Sequence, residues 1–215
     1  MGRNMEKDAV EMAAKNQRIL EKGFGIFAEK GIDKVAMTDV AKAAEIGIAS
    51  LYRYYSTKPE LVLAIGTWAW QKYVAEQTKK LSEAEEQEKT GAERVEFYLD
   101  AFLDLYRNHQ DLLRFNQFFN VYLQSEQIPR DKLQPYNALI GKLEERFTLA
   151  YRAGQEDGTL RGDLSEEELF STITHLMLAG VTRYAVGLVY FNRATDAEKE
   201  LEALKYMLMN RFCIK

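Results

Sequence analysis

Within five residues, Ser50-Leu51-Tyr52-Arg53-Tyr54, the chain sets a hydroxyl, a guanidinium and two phenols around one leucine. A guanidinium pairs bidentately with guanine, and a serine hydroxyl bonds either kind of base edge. Tyrosine has an apolar body that packs on sugar and a donor tip that bonds phosphate. This is the chemistry of nucleic-acid contact. Each residue also has a plainer reading: Arg53 can solvate an exposed face, and Leu51 and Tyr55 have the spacing of core positions.

The apolar period shows which elements would position these side chains. Ile19, Leu20, Phe24 and Phe27 repeat at helical spacing, and the run stops at Gly31, where a left-handed cap suits glycine. Val40, Ala41 and Ala44 give a second, short apolar face. Glu45-Ile46-Gly47 is too brief for a wandering loop, and Leu51 and Tyr55 resume the period. Two short helices at a sharp turn holding a glycine form a helix-turn-helix, whose second helix can lie in a major groove.

In order, the segment holds Ile19-Leu20 with Phe27 and Gly31, Thr38-Asp39-Val40-Ala41, Leu51-Tyr52-Arg53-Tyr54-Tyr55, and Lys58 with Leu61. That order resembles the TetR family of bacterial transcriptional regulators. The resemblance implies an all-α chain. An N-terminal three-helix DNA-binding domain with the helix-turn-helix would occupy residues 1–60. A connecting helix over about 58–80 would lead into a C-terminal helical domain, 61–215, for effector binding and dimerisation. It also implies a helix-turn-helix from about Ala36 to Tyr55, with Gly47 to Tyr54 as recognition helix. Thr38 and Lys58 stand where the family contacts phosphate, and Ile48 and Ala49 are placed to meet thymine methyls. With Ser50, Tyr52, Arg53 and Tyr54 they complete the expected DNA-facing set. Three residues depart from the family pattern: Ala36 replaces the usual Ser/Thr cap, Gly47 a serine, and Ile48 a common basic residue. A missing capping hydroxyl costs about 1 kcal/mol for alanine and a few tenths for glycine. The departures therefore bear on operator choice more than on the fold.

The 215 residues, 47% hydrophobic and 29% charged, suit a globular protein of one or two domains. The net charge of −4 is uneven: residues 1–60 hold ten Lys/Arg against nine Asp/Glu, so the acidic excess lies beyond them. Cys213, the single cysteine, excludes an intramolecular disulfide framework and fits a cytoplasmic location. No apolar run reaches membrane-spanning length, and the polar start has no signal-peptide core. Residues 1–15 read as a loose arm or an extension of the first helix, with Arg3, Lys7 and Lys15 near phosphate or simply solvated.

Further on, Thr57-x-x-Glu60 is a capping box opening a helix through Leu61, Val62, Ile65, Trp68, Ala69 and Tyr73. Residues 79–91 are polar and read as a helix end and loop. Apolar faces follow: Val95, Leu99, Phe102 and Tyr106, then Leu112, Phe115, Phe119 and Tyr122. After a break at Pro129 and Pro135 comes a third, Leu139 to Ala150, ending at Gly154. Ser165-x-x-Glu168 and Thr195-x-x-Glu198 are capping boxes for two last helices. The first of these is apolar nearly all round from Leu176 to Phe191, so both its sides need cover. A four-helix dimer interface made by Leu176, Ala179, Gly180, Gly187, Leu201, Leu204 and Leu208 would supply it, and so would one large monomeric core.

The resemblance also implies an effector cavity in the C-terminal domain. Phe102, Tyr106, Phe115, Phe119, Tyr122 and Phe147 are its candidate lining, against a reading of simple core. Asp104, Arg114 or Glu144 would be a polar anchor. Catalysis finds little support. The two histidines, His109 and His175, are far apart, with no metal motif and no glycine-rich phosphate loop, so no cofactor or metal is expected. Glu85-Glu86 and Glu144-Glu145 read as solvated pairs, and His175 as a core histidine. The expectation is a homodimeric repressor that binds double-stranded DNA at a near-palindromic operator and is released by an unidentified small molecule. The alternatives are an activator, a ligand-insensitive regulator or, remotely, a helical carrier or enzyme.

Overall fold

The computed structural model describes residues 2–126, 128–129, 131–187 and 196–214, with side chains for all of these except 2–6 and 83. Arg3 (as a side chain), Phe191 and Thr195, all invoked above, lie outside the described residues. Among those residues every regular element is a helix: α1 (Gly2–Lys30), α2 (Met37–Ala43), α3 (Ile48–Tyr54), α4 (Lys58–Lys80), α5 (Glu83–Gln87), α6 (Gly91–Asn108), α7 (Gln110–Ser125), α8 (Gln134–Glu156), α9 (Glu166–Val186) and α10 (Ala197–Phe212). The chain is all-α, as its periodicity requires. A lone antiparallel bridge pairs Leu160 with Cys213.

The chain divides into two compact units, one of Met1–Lys72 with Arg114–Tyr136, the other of Tyr73–Leu113 with Asn137–Lys215. In the first, Ile19 and Phe27 of α1, Val40 of α2, Leu51 of α3, and Leu61, Val62 and Ile65 of α4 are completely buried. Each such side chain contributes roughly 1.5–3 kcal/mol by leaving water. The second half of α7 completes this core. Phe115 stacks on Phe119 at 5.5 Å and meets Phe24 at 5.3 Å, while the Trp70 indole donates to Asn116 Oδ1 at 3.2 Å. The start of the chain is a helix, so of the two readings of residues 1–15 the extension holds.

In the second unit α6, α9 and α10 pack on one another. Val95, Leu99 and Leu103 meet a core shared with Ile173, Met177 and Val181 and with Leu201, Leu208 and Phe212. The open N–H groups starting α6 are taken up by a following loop: Gly91 donates to Asp157 Oδ2 at 2.8 Å and Ala92 to Thr159 Oγ1 at 3.1 Å. The Ser165–Glu168 capping box forms as its spacing predicts. The cap of α10 is Asp196, whose side chain accepts from the Lys199 N–H.

Several expectations need correction. The apolar run of α9 stops at Val186, because Gly187 turns the chain at φ 106. Helix α8 continues two residues past Gly154, and Gly158 carries the left-handed turn at φ 71. His175 is exposed rather than core, since it falls on the outward side of α9. Glu86 is not a solvated carboxylate: it is 8% exposed and accepts from Tyr98 Oη and from Arg146 Nη2, the latter at 2.5 Å. A buried carboxylate needs such a partner, and nothing local in KKLSEAEEQEKTG reveals one 60 residues away.

Candidate nucleic-acid interface

The interface is built on α2 and α3. Ala36 caps α2 without a side-chain acceptor, but half a capping box remains: its N–H donates to Asp39 Oδ2 at 2.8 Å. Thr38 follows in the first turn and is exposed. At the other end of α2, Ile46 N–H reaches Ala41 O at 3.0 Å and Glu45 N–H reaches Lys42 O at 3.1 Å, with Glu45 at φ 56. These two bonds are a Schellman cap, whose left-handed position usually goes to glycine. Here a glutamate fills it. Gly47 is extended, at φ −69, and serves as the N-cap of α3.

Leu51, with no exposed surface, anchors α3 to the core and turns the opposite side of the helix outward. Ile48 (37% exposed) and Tyr52 (49%) stand there beside exposed Ala49 and Arg53. Ser50 is half-buried, and Arg53 Nη2 donates to its hydroxyl at 3.2 Å. That bond holds the guanidinium along the helix without consuming its other donors. Tyr54 faces backward: its hydroxyl donates to Met12 O at 3.3 Å. Tyr55 does the same to Asn16 Oδ1 at 2.7 Å, and burial raises its phenol above the ordinary value, offset in part by that bond. Lys58 lies over the ring of Tyr122, 5.5 Å from its centroid. The structure thus brings Ile48, Ala49, Ser50, Tyr52 and Arg53 together on one short helix. Thr38 sits on the preceding helix, while Tyr54 and Lys58 already hold partners within the unit. Asn16, which holds the end of α3, and Asp39 and Glu45, which close the two ends of α2, carried no signal in the sequence as positioning residues.

The expected cavity aromatics fall into two groups. Phe115, Phe119 and Tyr122 are buried in the first unit, and Phe119 also meets Tyr136 at 5.2 Å. Phe102, Tyr106 and Phe147 belong to the second unit, where Phe147 packs on Tyr98 at 4.5 Å and Phe170 at 5.3 Å. The expected dimer residues also divide. Leu176, Ala179 and Gly187 are exposed, whereas Leu201 and Leu208 are buried in their own unit. Gly180 admits its own chain: a Cβ there would stand 3.2 Å from Leu204 and 3.3 Å from Leu201. Among the described residues no helix is long and apolar enough to cross a membrane.

A short outward-facing helix held by one buried leucine, following a capped helix of the same length, defines a helix-turn-helix protein of the all-α class. Residues 19–65 match the family model of bacterial regulatory proteins of the tetR family. Over 57 residues the chain is 39% identical to an HTH-type transcriptional regulator of Staphylococcus aureus, strain bovine RF122 / ET3-1; the match spans 26% of this chain and 29% of that relative. A bacterial regulatory protein in the tetR family from Rhodococcus RHA1 shares the fold with a TM-score of 0.72 and 16% identity, over 94% of this chain and 98% of that one. The regulator FadR from Bacillus subtilis, solved with stearoyl-CoA, gives 0.69 and 15% over 91% and 98%. Residues 19–65 thus match the tetR-family regulatory segment, and the chain as a whole shares the fold of these regulators.

Proposed function

We propose that this protein is a sequence-specific DNA-binding transcriptional regulator, acting as a homodimeric repressor that a small molecule releases from its operator. The observation that carries this reading is the outward row Ile48, Ala49, Tyr52 and Arg53 on α3, fixed from behind by Leu51. Arg53 and Ser50 read base edges, the apolar pair meets thymine methyls, and Thr38 and Tyr52 hold phosphates and set register. Tyr54 and Lys58 join them by exchanging their present partners for phosphate. Two such heads, related by a two-fold axis, read the half-sites of a near-palindrome. The exposed Leu176, Ala179 and Val186 of α9 form the face for the second copy. An effector acts only if it binds one spacing of the heads more tightly than the other. The relatives' regulatory names and the bound stearoyl-CoA of one support this reading.

The test is titration of the purified protein against DNA from upstream of its own gene, at several salt concentrations. Saturable binding that beats unrelated DNA and falls steeply with salt is expected. A folded dimer that binds no DNA even at low salt would overturn it.

A further inference from the structure

A cleft of about 700 Å³ opens within the first unit, away from the outward face of α3. Its wall carries Tyr54 and Tyr55 at the end of α3, Pro59 and Glu60 in the first turn of α4, and Trp68 further along α4. Leu20, Leu63 and Ala64 floor it, and Glu126, Ile128, Pro129, Lys132 and Pro135 close the other side. The volume suits a small ligand, and so does an aromatic and aliphatic lining with few polar groups.

Those polar groups select the ligand's charge. Both phenol protons are already committed, Tyr54 to Met12 O and Tyr55 to Asn16, and the Thr67 hydroxyl donates to Leu63 O at 2.9 Å. What these groups present to the cleft is lone pairs. Of the described lining residues the one cation is Lys132, and its ammonium stands 3.4 Å from Glu60. That pairing leaves Glu126, which shares the lining with the Trp68 indole and the Tyr54 and Tyr55 phenols, without a cation among the described lining residues; Lys72, outside the lining, stands 5.8 Å from the Trp68 ring centroid. Acceptors and π faces around a net negative lining favour a cation and repel an anion.

We infer that this cleft is a binding site for a hydrophobic organic cation, one with an aromatic or aliphatic body and a positive centre lodged between Trp68 and Glu126. The occupant would press on Tyr54 and Tyr55, the residues that tie α3 to α1. Given the DNA-binding reading above, occupancy therefore changes how α3 is held.

The test uses two probes of one shape and opposite charge, tetraphenylphosphonium and tetraphenylborate, followed by calorimetry and by quenching of tryptophan fluorescence. No DNA is present, so the outcome is independent of the DNA-binding reading. The phosphonium is expected to bind at least about tenfold more tightly than the borate. Glu126→Gln, at an exposed position where folding is not at stake, is expected to weaken phosphonium binding several-fold, and Trp68→Leu to weaken it further. Equal binding of both probes, binding of the borate alone, or phosphonium binding unchanged in Glu126→Gln each overturns the assignment, as does no binding at all. A second titration, of a protein–DNA complex with the phosphonium, then reads whether occupancy alters DNA affinity.

Discussion

The hydroxyl of Tyr55 donates to Asn16 Oδ1 at 2.7 Å, so the residue that closes α3 is tied to the middle of α1, 39 positions earlier. Together with the Tyr54–Met12 bond it ties the end of α3 to α1. Tyr55→Phe removes the donor and leaves Asn16 without its partner. A loss of about 1 kcal/mol in urea unfolding is expected, along with weaker DNA binding from a recognition helix held less firmly. Unchanged stability and DNA affinity would show that the bond does not position α3.

Alkaline pH should loosen the first unit. Burial pushes the phenols of Tyr122 and Tyr136 up to about 12, with Glu126 and Asp33 adding to the effect at Tyr122. In the unfolded chain both ionise near 10, the ordinary value for tyrosine. Between those values the unfolded state has released protons that the folded state keeps, so stability falls as pH rises through that interval. Denaturation midpoints at rising pH, read beside tyrosinate absorbance, should be flat up to about 9 and then decline. Stability that holds constant to pH 12 contradicts the assignment.

The turn between α2 and α3 holds a non-glycine residue in left-handed backbone, Glu45 at φ 56. That conformation costs roughly 1–2 kcal/mol for an L-residue. The Arg18–Glu45 pair, 4.0 Å apart with Glu45 81% exposed, offsets little of it. Glu45→Gly should therefore raise stability by about 1 kcal/mol, measurable as a higher melting midpoint. A lower midpoint would mean that the carboxylate contributes more than its geometry suggests.

Helices α6 and α8 approach closely where Gly91 meets Gly154: a Cβ on Gly91 would overlap the Gly154 backbone itself. Backbone cannot swing aside as a side chain does. Gly91→Ala is expected to cost about 3 kcal/mol or more. A near-wild-type unfolding curve would show that the two helices can separate freely.

The helix-turn-helix was legible because its signals are local. Gly31 ends α1 at φ 84, and Leu51 is buried where the apolar period puts it. The turn is legible only as a sharp one holding a glycine: its left-handed residue is Glu45, and backbone bonds to Ala41 and Lys42 stabilise it. Side-chain identity carries no trace of a cap made by backbone alone. The partners of Trp70 and Glu86 are 46 and 60 residues away, and no local spacing announces such pairs. Gly180 shows the same limit, since a small residue invites close approach without saying which helix comes. On the interface itself, sequence supplied the residue types on α3, and only packing shows that Tyr54 looks inward while Tyr52 looks out.

If the protein regulates transcription as proposed, α3 reads DNA sequence. Selection from a pool of random duplexes tests it most directly, with the wild-type protein and an Arg53→Ala variant run in parallel. The wild-type chain should enrich one two-fold symmetric sequence. Arg53→Ala should bind that sequence about 1–3 kcal/mol more weakly and relax the choice of base at a single position in each half-site. A pool that emerges unenriched from a folded wild-type protein, or an Arg53→Ala variant that selects the same sequence with the same affinity, would contradict it.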